Sequence, residues 1–374
     1  MHEYVVGKSG SGKSTFLLHH ILANRGGFAV LDPHGDLAER IADTVPCIYW
    51  DTSETEHVFG FNPLSNVPAA KRHLVADQVV MSFKAIWGES WGPRMEWILY
   101  NAVRLLLDNH GTLLDIPRVL TDQRYRTRLL RKASFNSFWE NEFAEWEERY
   151  RNDAIAPVLN KVGQFVANPV LHNILSHGTV NVSHLMERGE RLVVNLSKGR
   201  LGATPSHLLG ALLVSAVSQA AQARASLPPE ARRPFTLYAD EFQNFATDGF
   251  ASILSEARKF NLSLITAHQF LGQVSDLLRQ AVFGNAGRIV SFRLGAEDAP
   301  LVAEELGLKN PEILIDLSHF HAWERCGPDP HFLTVPPAPA AQNRLKANRA
   351  RARANYARHR DKIEARSRTR HVAQ

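Results

Sequence analysis

The sequence has 374 residues, 44% of them hydrophobic, which is enough for one large domain and a smaller one. It contains no run of 18 apolar residues and begins MHEYVV, so we expect neither a membrane-spanning helix nor a signal peptide. Cys47 and Cys326 are too few for a disulfide framework or a cysteine metal cluster, and they indicate a reducing cytosol. We therefore expect a cytoplasmic protein without direct membrane insertion.

Positive charge is concentrated at one end of the chain. The formal net charge is +5 and the isoelectric point is near 9.2. Residues 344–370 carry 11 Lys/Arg and 2 Asp/Glu, a local charge of +9, so the rest of the chain carries −4. The basic isoelectric point is a property of the tail, whereas the body is mildly acidic.

Residues 1–62 alternate between short apolar runs and helical patterns. This alternation predicts a parallel α/β sheet. The predicted elements are the strand EYVV, a helix over 13–25, the strand FAVLD, a helix over 36–43 and the strand CIYWD.

Residues 63–185 differ in character, because they contain long helical patterns and few candidate strands. One apolar set recurs at helical spacing and ends at Asn109-His110-Gly111. We expect an all-α insertion here, and the apolar set is Met95, Ile98, Leu99, Ala102, Val103 and Leu106.

The α/β alternation resumes over residues 186–337, and Pro336–Pro339 ends the folded part. The predicted strands are RLVVN (191–195), FTLYAD (235–240), LSLITAH (262–268) and RIVSFRL (288–294). We expect helices over 206–225, 250–260 and near 275–283 between them. The predicted fold class is therefore α/β, a mainly parallel sheet domain interrupted by the helical insertion. Residues 338–374 form a basic tail that we expect to be either disordered or helical, because it has few apolar residues to bury.

The stretch VVGKSGSGKST follows the first predicted strand and opens the first helix. Glycines at a helix start let backbone N–H groups converge on phosphate oxygens. In such a loop Lys13 reaches the outer phosphates of a nucleotide and the Ser14 hydroxyl binds Mg²⁺. A plain Gly-Ser turn is the alternative, but strand, helix and spacing all favour the phosphate loop. Its residues are Gly7, Lys8, Ser9, Gly10, Ser11, Gly12, Lys13, Ser14 and Thr15.

A second candidate lies in FTLYADEFQNF, where Asp240 and Glu241 follow an apolar strand. Ligands of open α/β sheets bind at the carboxyl ends of strands. Asp240 is suited to the Mg²⁺ shell, and Glu241 is suited to act as general base on the attacking water. Capping of the next helix is the alternative role, and the phosphate loop favours the catalytic one.

Two further residues lie downstream in SEARKFNLSLITAHQF. Arg258 ends a predicted helix, where the helix dipole alone favours a cation. Gln269 ends the next strand, beside the expected position of Asp240, and its amide can hydrogen-bond a γ-phosphate or the attacking water.

Five segments together resemble the HerA/FtsK superfamily of RecA-like P-loop ATPases. The resemblance covers roughly residues 1–335 and is nearest to the coupling-protein ATPases of conjugative and type IV secretion systems. The segments are GKSGSGKST, AVLDPHGDLAER, LVVNLSKGRLG, DEFQNFATDGFASILSEARKFNLSLITAHQFLGQ and GRIVSFRLGAEDA.

The resemblance implies a role for each candidate. Asp240 and Glu241 would form Walker B, and Gln269 would be the sensor at the end of the next strand. Arg258 would reach the nucleotide of a neighbouring subunit, and Asp32 would lie near the active site. The implied cofactors are ATP and Mg²⁺, and the implied assembly is a homo-hexamer on DNA.

The resemblance leaves three functions open. The first is an ATP-driven DNA translocase that works with a relaxase or a secretion channel. The second is an ATP-gated adaptor that recruits a relaxase or nuclease, and the third is a repair helicase with a nuclease partner. Membrane coupling proteins carry transmembrane helices before Walker A, so the expectation is either a member without them or a natural start further upstream.

Other polar and aromatic groups are weaker candidates. The face formed by Arg124, Arg128 and Arg131 is typical of a solvated helix surface. Lys198 and Arg200 follow a strand, where they are suited either to line a pore or to contact phosphate. Tryptophans in the insertion are expected in its core, and these are Trp87, Trp91, Trp97, Trp139 and Trp146.

Overall fold

The computed structural model describes residues 1–365 and divides into two compact units. The first unit comprises Met1–Asp51 and Val182–Ala352. The second comprises Thr52–Asn181 and the described residues from Arg353 onward. Residues 366–374 of the predicted basic tail lie outside the described residues.

The strands fall into two sheets. They are β1 (His2–Val6), β2 (Gly27–Asp32), β3 (Ile48–Asp51), β4 (His57–Phe59), β5 (Arg191–Asn195), β6 (Phe235–Ala239), β7 (Leu262–His268), β8 (Ala286–Ser291), β9 (His321–Arg325), β10 (Pro330–Thr334) and β11 (Ala357–His359).

Most helices are short, and a single π-helical turn spans Phe138–Phe143. The α-helices are α1 (Lys13–Ala23), α2 (Asp36–Thr44), α3 (Arg72–Trp87), α4 (Pro93–Asp108), α5 (Ile116–Thr121), α6 (Gln123–Leu130), α7 (Glu148–Val166), α8 (Pro169–Leu175), α9 (Val182–Arg188), α10 (Lys198–Leu201), α11 (Ala203–Ala223), α12 (Asp248–Glu256), α13 (Asp276–Asn285), α14 (Ala299–Leu306), α15 (Glu312–Ile315) and α16 (Leu345–Tyr356).

The first unit is built on a nine-stranded sheet with the order β10-β9-β8-β1-β7-β6-β2-β5-β3. The strands β8, β1, β7, β6, β2, β5 and β3 are parallel to one another. Strands β9 and β10 continue the sheet beyond β8 as antiparallel strands. The parallel strands are buried on both faces, as their continuous apolar runs predict. The predicted α/β class with a mainly parallel sheet is confirmed.

One apolar core lies between the sheet and helices α1 and α2. Val5, Val30 and Val290 project from the parallel strands and are fully buried there. Leu17 of α1 and Ile41 of α2 pack against them. This packing fixes the position of α1, and with it the loop that precedes α1.

The second unit is mainly helical. Helix α4 contacts α3, α5 and α7, and its apolar face is buried, including all six apolar residues predicted at helical spacing. Strands β4 and β11 pair antiparallel. The prediction that the insertion's tryptophans form its core holds for Trp139, which is 4% exposed, but not for Trp97, which is 42% exposed. Trp97 is stabilised at the surface because its indole N–H donates to Glu142 Oε2 at 3.0 Å.

The tail begins with an ordered helix. Within α16, Asn348 and Ala352 are buried. The Asn348 amide donates to the carbonyl oxygens of Ala42 (2.6 Å) and Val45 (2.7 Å), and its Oδ1 accepts from Cys47 N at 3.3 Å. The first part of the tail is therefore anchored at the end of α2, by polar contacts that low apolar content did not predict.

Among residues 1–365, no helix has both the length and the apolar character that a membrane crossing requires.

Candidate active site

The phosphate-loop sequence forms the turn between β1 and α1. Gly12 caps α1 with a φ of 117°, a conformation that L side chains rarely adopt. A Cβ on Gly12 would lie 3.1 Å from Phe320 Cα, and a Cβ on Gly7 would lie 2.5 Å from Phe292 Cβ. Both positions therefore require glycine, and the loop can stay close to the neighbouring backbone.

Lys13 begins α1 and is only 6% exposed. Its ammonium donates to Gly7 O and, at 3.2 Å, to Lys8 O, so it lies across the loop. Burial lowers the pKa of Lys13, and the nearby carboxylates of Glu241 and Asp240 partly offset this effect. The lysine and these two acids therefore share one electrostatic environment.

Three carboxylates, those of Asp32, Asp240 and Glu241, lie close together at the carboxyl ends of neighbouring strands. Asp32 ends β2, and Asp240 follows β6, which pairs with β2. Burial raises the pKa of Asp240 to about 7, and the charges of Asp32 and Glu241 add to this shift, whereas Lys13 opposes it. Carboxylates concentrated in this way would be stabilised by a divalent cation.

The residues present fit a magnesium ion shared with a bound phosphate. Ser14 is exposed at the second position of α1, where its hydroxyl can act as an oxygen ligand, and the carboxylate of Asp240 can supply another. Within the described part of the chain, no group of three or more His, Cys, Asp or Glu side chains could hold a metal by itself. This agrees with a site in which phosphate oxygens complete the ligand set.

Asp32 has a structural partner as well. Its Oδ1 accepts from His34 N and its Oδ2 from Ala38 N, both at 2.9 Å. The bond from Ala38 satisfies an N–H group in the first turn of α2, and the bond from His34 fixes the turn before it. Asp32 therefore contributes negative charge from a fixed position.

Glu241 is held by two glutamine side chains. Gln269 Nε2 donates to its Oε1 at 3.0 Å, and Gln243 Nε2 donates to its Oε2 at 2.7 Å. Glu241 is 5% exposed and has a φ of 47°, in the left-handed region. The carboxylate of Glu241 and an amide at the end of the neighbouring strand are thus in direct contact.

Lys198 and Asn244 form a second link to this segment. Lys198 Nζ lies 2.5 Å from Asn244 Oδ1, and Asn244 Nδ2 donates to Glu241 O at 2.7 Å. Burial lowers the pKa of Lys198, and the charge of Glu241 opposes this shift. Lys198 therefore lies beside the Asp240-Glu241 segment. Arg200 instead pairs at the surface with Glu39 and Asp51.

Arg258 lies at the opposite edge of the sheet. Its Nη2 donates to Asn285 O at 2.9 Å, close to the amino end of β8. The phosphate loop follows the other end of β1, roughly 13 Å along the strand. Within one chain, therefore, the structure brings together Lys13, Asp240, Glu241 and Gln269, but not Arg258.

The sequence did not indicate two residues that lie near the phosphate loop and the Asp240-Glu241 segment. Asn244 was not singled out, although its position in the DEFQN segment, three residues after Glu241, is the usual reach of an amide side chain back to the backbone. Phe320 touches the phosphate loop from more than 300 residues away, and no local pattern marks that contact.

A phosphate loop after β1, with carboxylates after β6 of a mainly parallel sheet, defines the RecA-like fold of P-loop NTPases. Solved structures share this fold over most of the chain. The plasmid coupling protein TrwB in complex with ADP and Mg²⁺ matches with a TM-score of 0.66 at 15% identity, covering 92% of this chain and 87% of that one. VirB4 of Thermoanaerobacter pseudethanolicus matches with a TM-score of 0.64 at 13% identity, covering 90% of each chain.

No protein-family model matches the sequence, and no curated protein matches it either. The predicted resemblance to coupling-protein ATPases is confirmed at the level of the fold. At these identities the likeness concerns architecture, and the chemistry has to be argued from the residues of this chain.

Proposed function

We propose that this protein is an ATP-hydrolysing, DNA-translocating ATPase that acts as a ring oligomer. In this proposal residues Gly7–Thr15 bind the phosphates of ATP, and Lys13 neutralises the outer ones. Ser14 and Asp240 hold Mg²⁺, which supplies charge neutralisation on the phosphates. Glu241 acts as general base on the attacking water, and Gln269 senses the γ-phosphate.

The observation that carries the proposal is the position of Glu241. Its carboxylate is hydrogen-bonded to Gln269, and its charge partly offsets the lowering of the pKa of Lys13, which lies across the phosphate loop. A plain helix cap would need neither contact. The base, the sensor amide and the phosphate-binding lysine therefore converge where the γ-phosphate of a bound nucleotide would lie.

The solved structures with the same fold support nucleotide chemistry and a role in DNA transfer. TrwB is described as a plasmid coupling protein and was solved with the ATP analogue ADPNP as well as with ADP and Mg²⁺. TrwB was also solved with the GTP analogue GDPNP. We extend a nucleoside triphosphate and Mg²⁺ to this chain because its own loop and carboxylates fit phosphates and the ion, and ATP is the nucleotide that we propose.

Assembly into a homo-hexamer is part of the proposal. It is supported by the position of Arg258, which lies beyond reach of the phosphate loop in its own chain and is exposed at the surface. An arginine there is suited to contact the nucleotide of a neighbouring subunit. The proposed partners are DNA and a relaxase, secretion channel or nuclease, and the proposed compartment is the cytoplasm.

The test is ATP turnover with and without DNA, for the wild type, Lys13→Ala and Glu241→Gln. Lys13→Ala should lower turnover by roughly 100-fold or more, because the positive charge that neutralises the β- and γ-phosphates is lost. Glu241→Gln should lower turnover while ATP binding persists, since only water activation is removed. Glu304→Gln, at an exposed position on α14, is the matched control.

DNA should stimulate wild-type turnover. A protein that hydrolyses ATP without responding to DNA would be an adaptor rather than a translocase. Full turnover in Lys13→Ala would contradict the whole site assignment. A neighbouring relaxase gene would favour DNA transfer, whereas a nuclease gene would favour the repair helicase.

A further inference from the structure

The segment Ser318–Phe320 lies directly on the phosphate loop. His319 Nδ1 donates to Gly10 O at 2.9 Å, and Phe320 N donates to Ser11 O at 2.9 Å. Because the acceptor of the histidine bond is a carbonyl, Nδ1 carries a proton. His319 and Phe320, which are distant from the phosphate loop in sequence, are therefore hydrogen-bonded to its backbone.

Phe320 is held in an unfavourable conformation. Its φ is 63°, in the left-handed region that bulky side chains rarely occupy. The conformation is maintained from both sides, because Phe320 N donates to Ser11 O and Phe320 O accepts from Val335 N at 2.8 Å. Despite this constraint, Phe320 is 42% exposed, so its side chain does not belong to the core.

The ring lies beside the end of the loop where α1 begins. Phe320 Cδ1 is 3.0 Å from the position that a Cβ on Gly12 would take. The exposed ring of Phe320 therefore lies at the edge of the phosphate loop. The backbone that carries the ring is held by a hydrogen bond on each side.

The order of strands gives the direction in which a nucleotide would extend. Glu241 and Gln269 follow β6 and β7, on one side of β1. The segment Ser318–Phe320 precedes β9, on the other side of β1 beyond β8. With the γ-phosphate towards Glu241, the ribose and base extend away from it, towards Phe320.

We propose that Phe320 is the platform on which the base of the bound nucleotide stacks, and that His319 is a positioning residue that fixes this platform to the loop. The inference rests on the proposed function, because it requires a nucleotide in the loop. Stacking of a base on an aromatic ring needs only an exposed face of fixed orientation. The hydrogen bonds on both sides of Phe320 hold its backbone, and so the position of its ring, at the loop before the nucleotide arrives.

The test compares ligands with and without a base. Binding of ATP, ADP and inorganic tripolyphosphate to the full-length protein is measured by calorimetry for the wild type, Phe320→Ala, Phe320→Leu and Phe320→Tyr. Phe320→Ala should weaken ATP and ADP roughly 5- to 100-fold, the range expected for one lost base–aromatic stack. Tripolyphosphate affinity should not change, and Phe320→Tyr should bind like the wild type.

Phe332→Ala is the matched control, since Phe332 is 54% exposed on β10 and packs on His321 and Trp323 instead. If Phe320→Ala does not fold, Phe320→Leu retains apolar bulk without a ring and should show the same selective loss. Equal losses for ATP and tripolyphosphate would mean that Phe320 only shapes the loop, and this would overturn the inference. Unchanged ATP affinity in Phe320→Ala would overturn it as well.

The proposed function fails in a different way. If the wild type binds neither ATP nor tripolyphosphate, or if Lys13→Ala binds both like the wild type, the loop is not a phosphate site and both proposals are wrong. If Lys13→Ala loses both ligands while Phe320→Ala keeps ATP, only the base platform is wrong.

Discussion

Glu241 combines an unusual backbone conformation with a set of specific contacts. Its φ of 47° places a non-glycine residue in the left-handed region, which costs conformational free energy. Its N–H donates to Asp240 Oδ1 at 3.1 Å, and its carbonyl accepts from Asn244 at 2.7 Å. Asn244 in turn contacts Lys198. The orientation of the proposed base therefore depends on Asn244, which contacts its backbone rather than its carboxylate.

We expect Asn244→Ala to lower kcat for ATP by roughly 10-fold and to leave KM nearly unchanged, because base positioning matters in the transition state more than in binding. Loss of the hydrogen bond should also lower the free energy of unfolding by about 1–2 kcal/mol. Steady-state kinetics and urea denaturation measure the two effects. Asn285→Ala, whose side chain bonds Ala281 O within α13, is the control. A rise in KM at constant kcat would assign Asn244 to binding instead.

His2 is expected to make the free energy of unfolding depend on pH, and it is not part of the proposed active site. Its side chain is fully buried, and its Nδ1 accepts from Leu264 N at 3.0 Å. Burial, followed by the charges of Arg258 and the N-terminus, lowers the pKa of His2 to about 4. The folded state therefore binds fewer protons than the unfolded state between the folded pKa and the ordinary value of 6.5.

The contribution of His2 to the free energy of unfolding is fully present above pH 6.5 and is lost as the pH falls towards 4. In His2→Asn, whose Oδ1 can accept the same bond, this dependence should vanish. The difference in unfolding free energy between wild type and variant should change by up to about 3 kcal/mol over this window. Urea denaturation at several pH values measures it, with His110→Asn at an exposed position as control. Parallel pH profiles for wild type and His2→Asn would contradict the prediction.

At the scale of elements, α16 shows how a polar helix can be anchored. Asn348 satisfies two carbonyl oxygens at the end of α2 and one N–H at the start of β3. Arg349 adds an ion pair with Asp51 at 3.5 Å and lies over the ring of Tyr49. The helix is therefore stabilised by satisfying buried backbone groups, with little apolar area of its own.

Asn348→Ala should destabilise the protein by about 2–3 kcal/mol, because it leaves buried carbonyl groups without a partner. Thermal and urea denaturation measure the loss. Asn355→Ala, exposed on the same helix, should change stability by less than about 0.5 kcal/mol. Equal stability of the two variants would mean that α16 does not anchor the end of α2.

The elements that the sequence predicts well are those with a continuous pattern. Strands β1, β2 and β7 read as apolar runs because parallel strands are buried on both faces. Helix α4 was predictable from its period, and its apolar face is buried as expected. The phosphate loop and the Asp240-Glu241 segment were identifiable because each is local in sequence.

Other elements lack such a pattern. Strands β9 and β10 form an antiparallel edge in which Ala322 is fully buried but most side chains are not, so no apolar run marks them. The contact of Phe320 with Gly12 joins distant segments and depends on tertiary packing. The role of Asn348 depends on carbonyl oxygens that only the folded α2 presents.

At the scale of the whole molecule, the position of Arg258 makes assembly testable. Arg258→Ala should lower turnover only under conditions in which the protein assembles. A mixture with Lys13→Ala should regain activity, because one subunit supplies the phosphate loop and its neighbour supplies the arginine. With random mixing in a closed ring, about one quarter of the sites would be complete.

The measurement is ATP turnover of each variant alone and of an equal mixture, at a concentration where sedimentation shows the oligomer. Lys259→Ala, the exposed neighbour of Arg258, is the control and should retain turnover. A mixture no more active than its components would show that Arg258 does not act across a subunit boundary.

The basic tail is expected to contribute to DNA binding. The body carries −4 and residues 344–370 carry +9, so the tail is the natural electrostatic contact for phosphates, with a solubilising role as the alternative. Removing the whole tail would also remove the Asn348 anchor, so charges should be neutralised instead. The suitable positions avoid the described ion pairs, and they are Arg344, Lys346, Lys362, Arg366, Arg368 and Arg370, each replaced by Gln.

If the tail neutralises about four to eight phosphates, the logarithm of duplex affinity should fall with the logarithm of salt at a slope of roughly −3 to −7. The six substitutions should make this slope shallower by up to about 5 and weaken all DNA sequences alike, because phosphate contacts carry no sequence information. Basal ATP turnover should persist, since every proposed catalytic residue precedes residue 300. The control replaces Arg124 and Arg128, exposed on α6, and Arg131, exposed directly after α6, and should alter the slope less. An unchanged slope in the tail variant would assign the phosphate contacts to the ATPase body and leave the tail a role in solubility or partner binding.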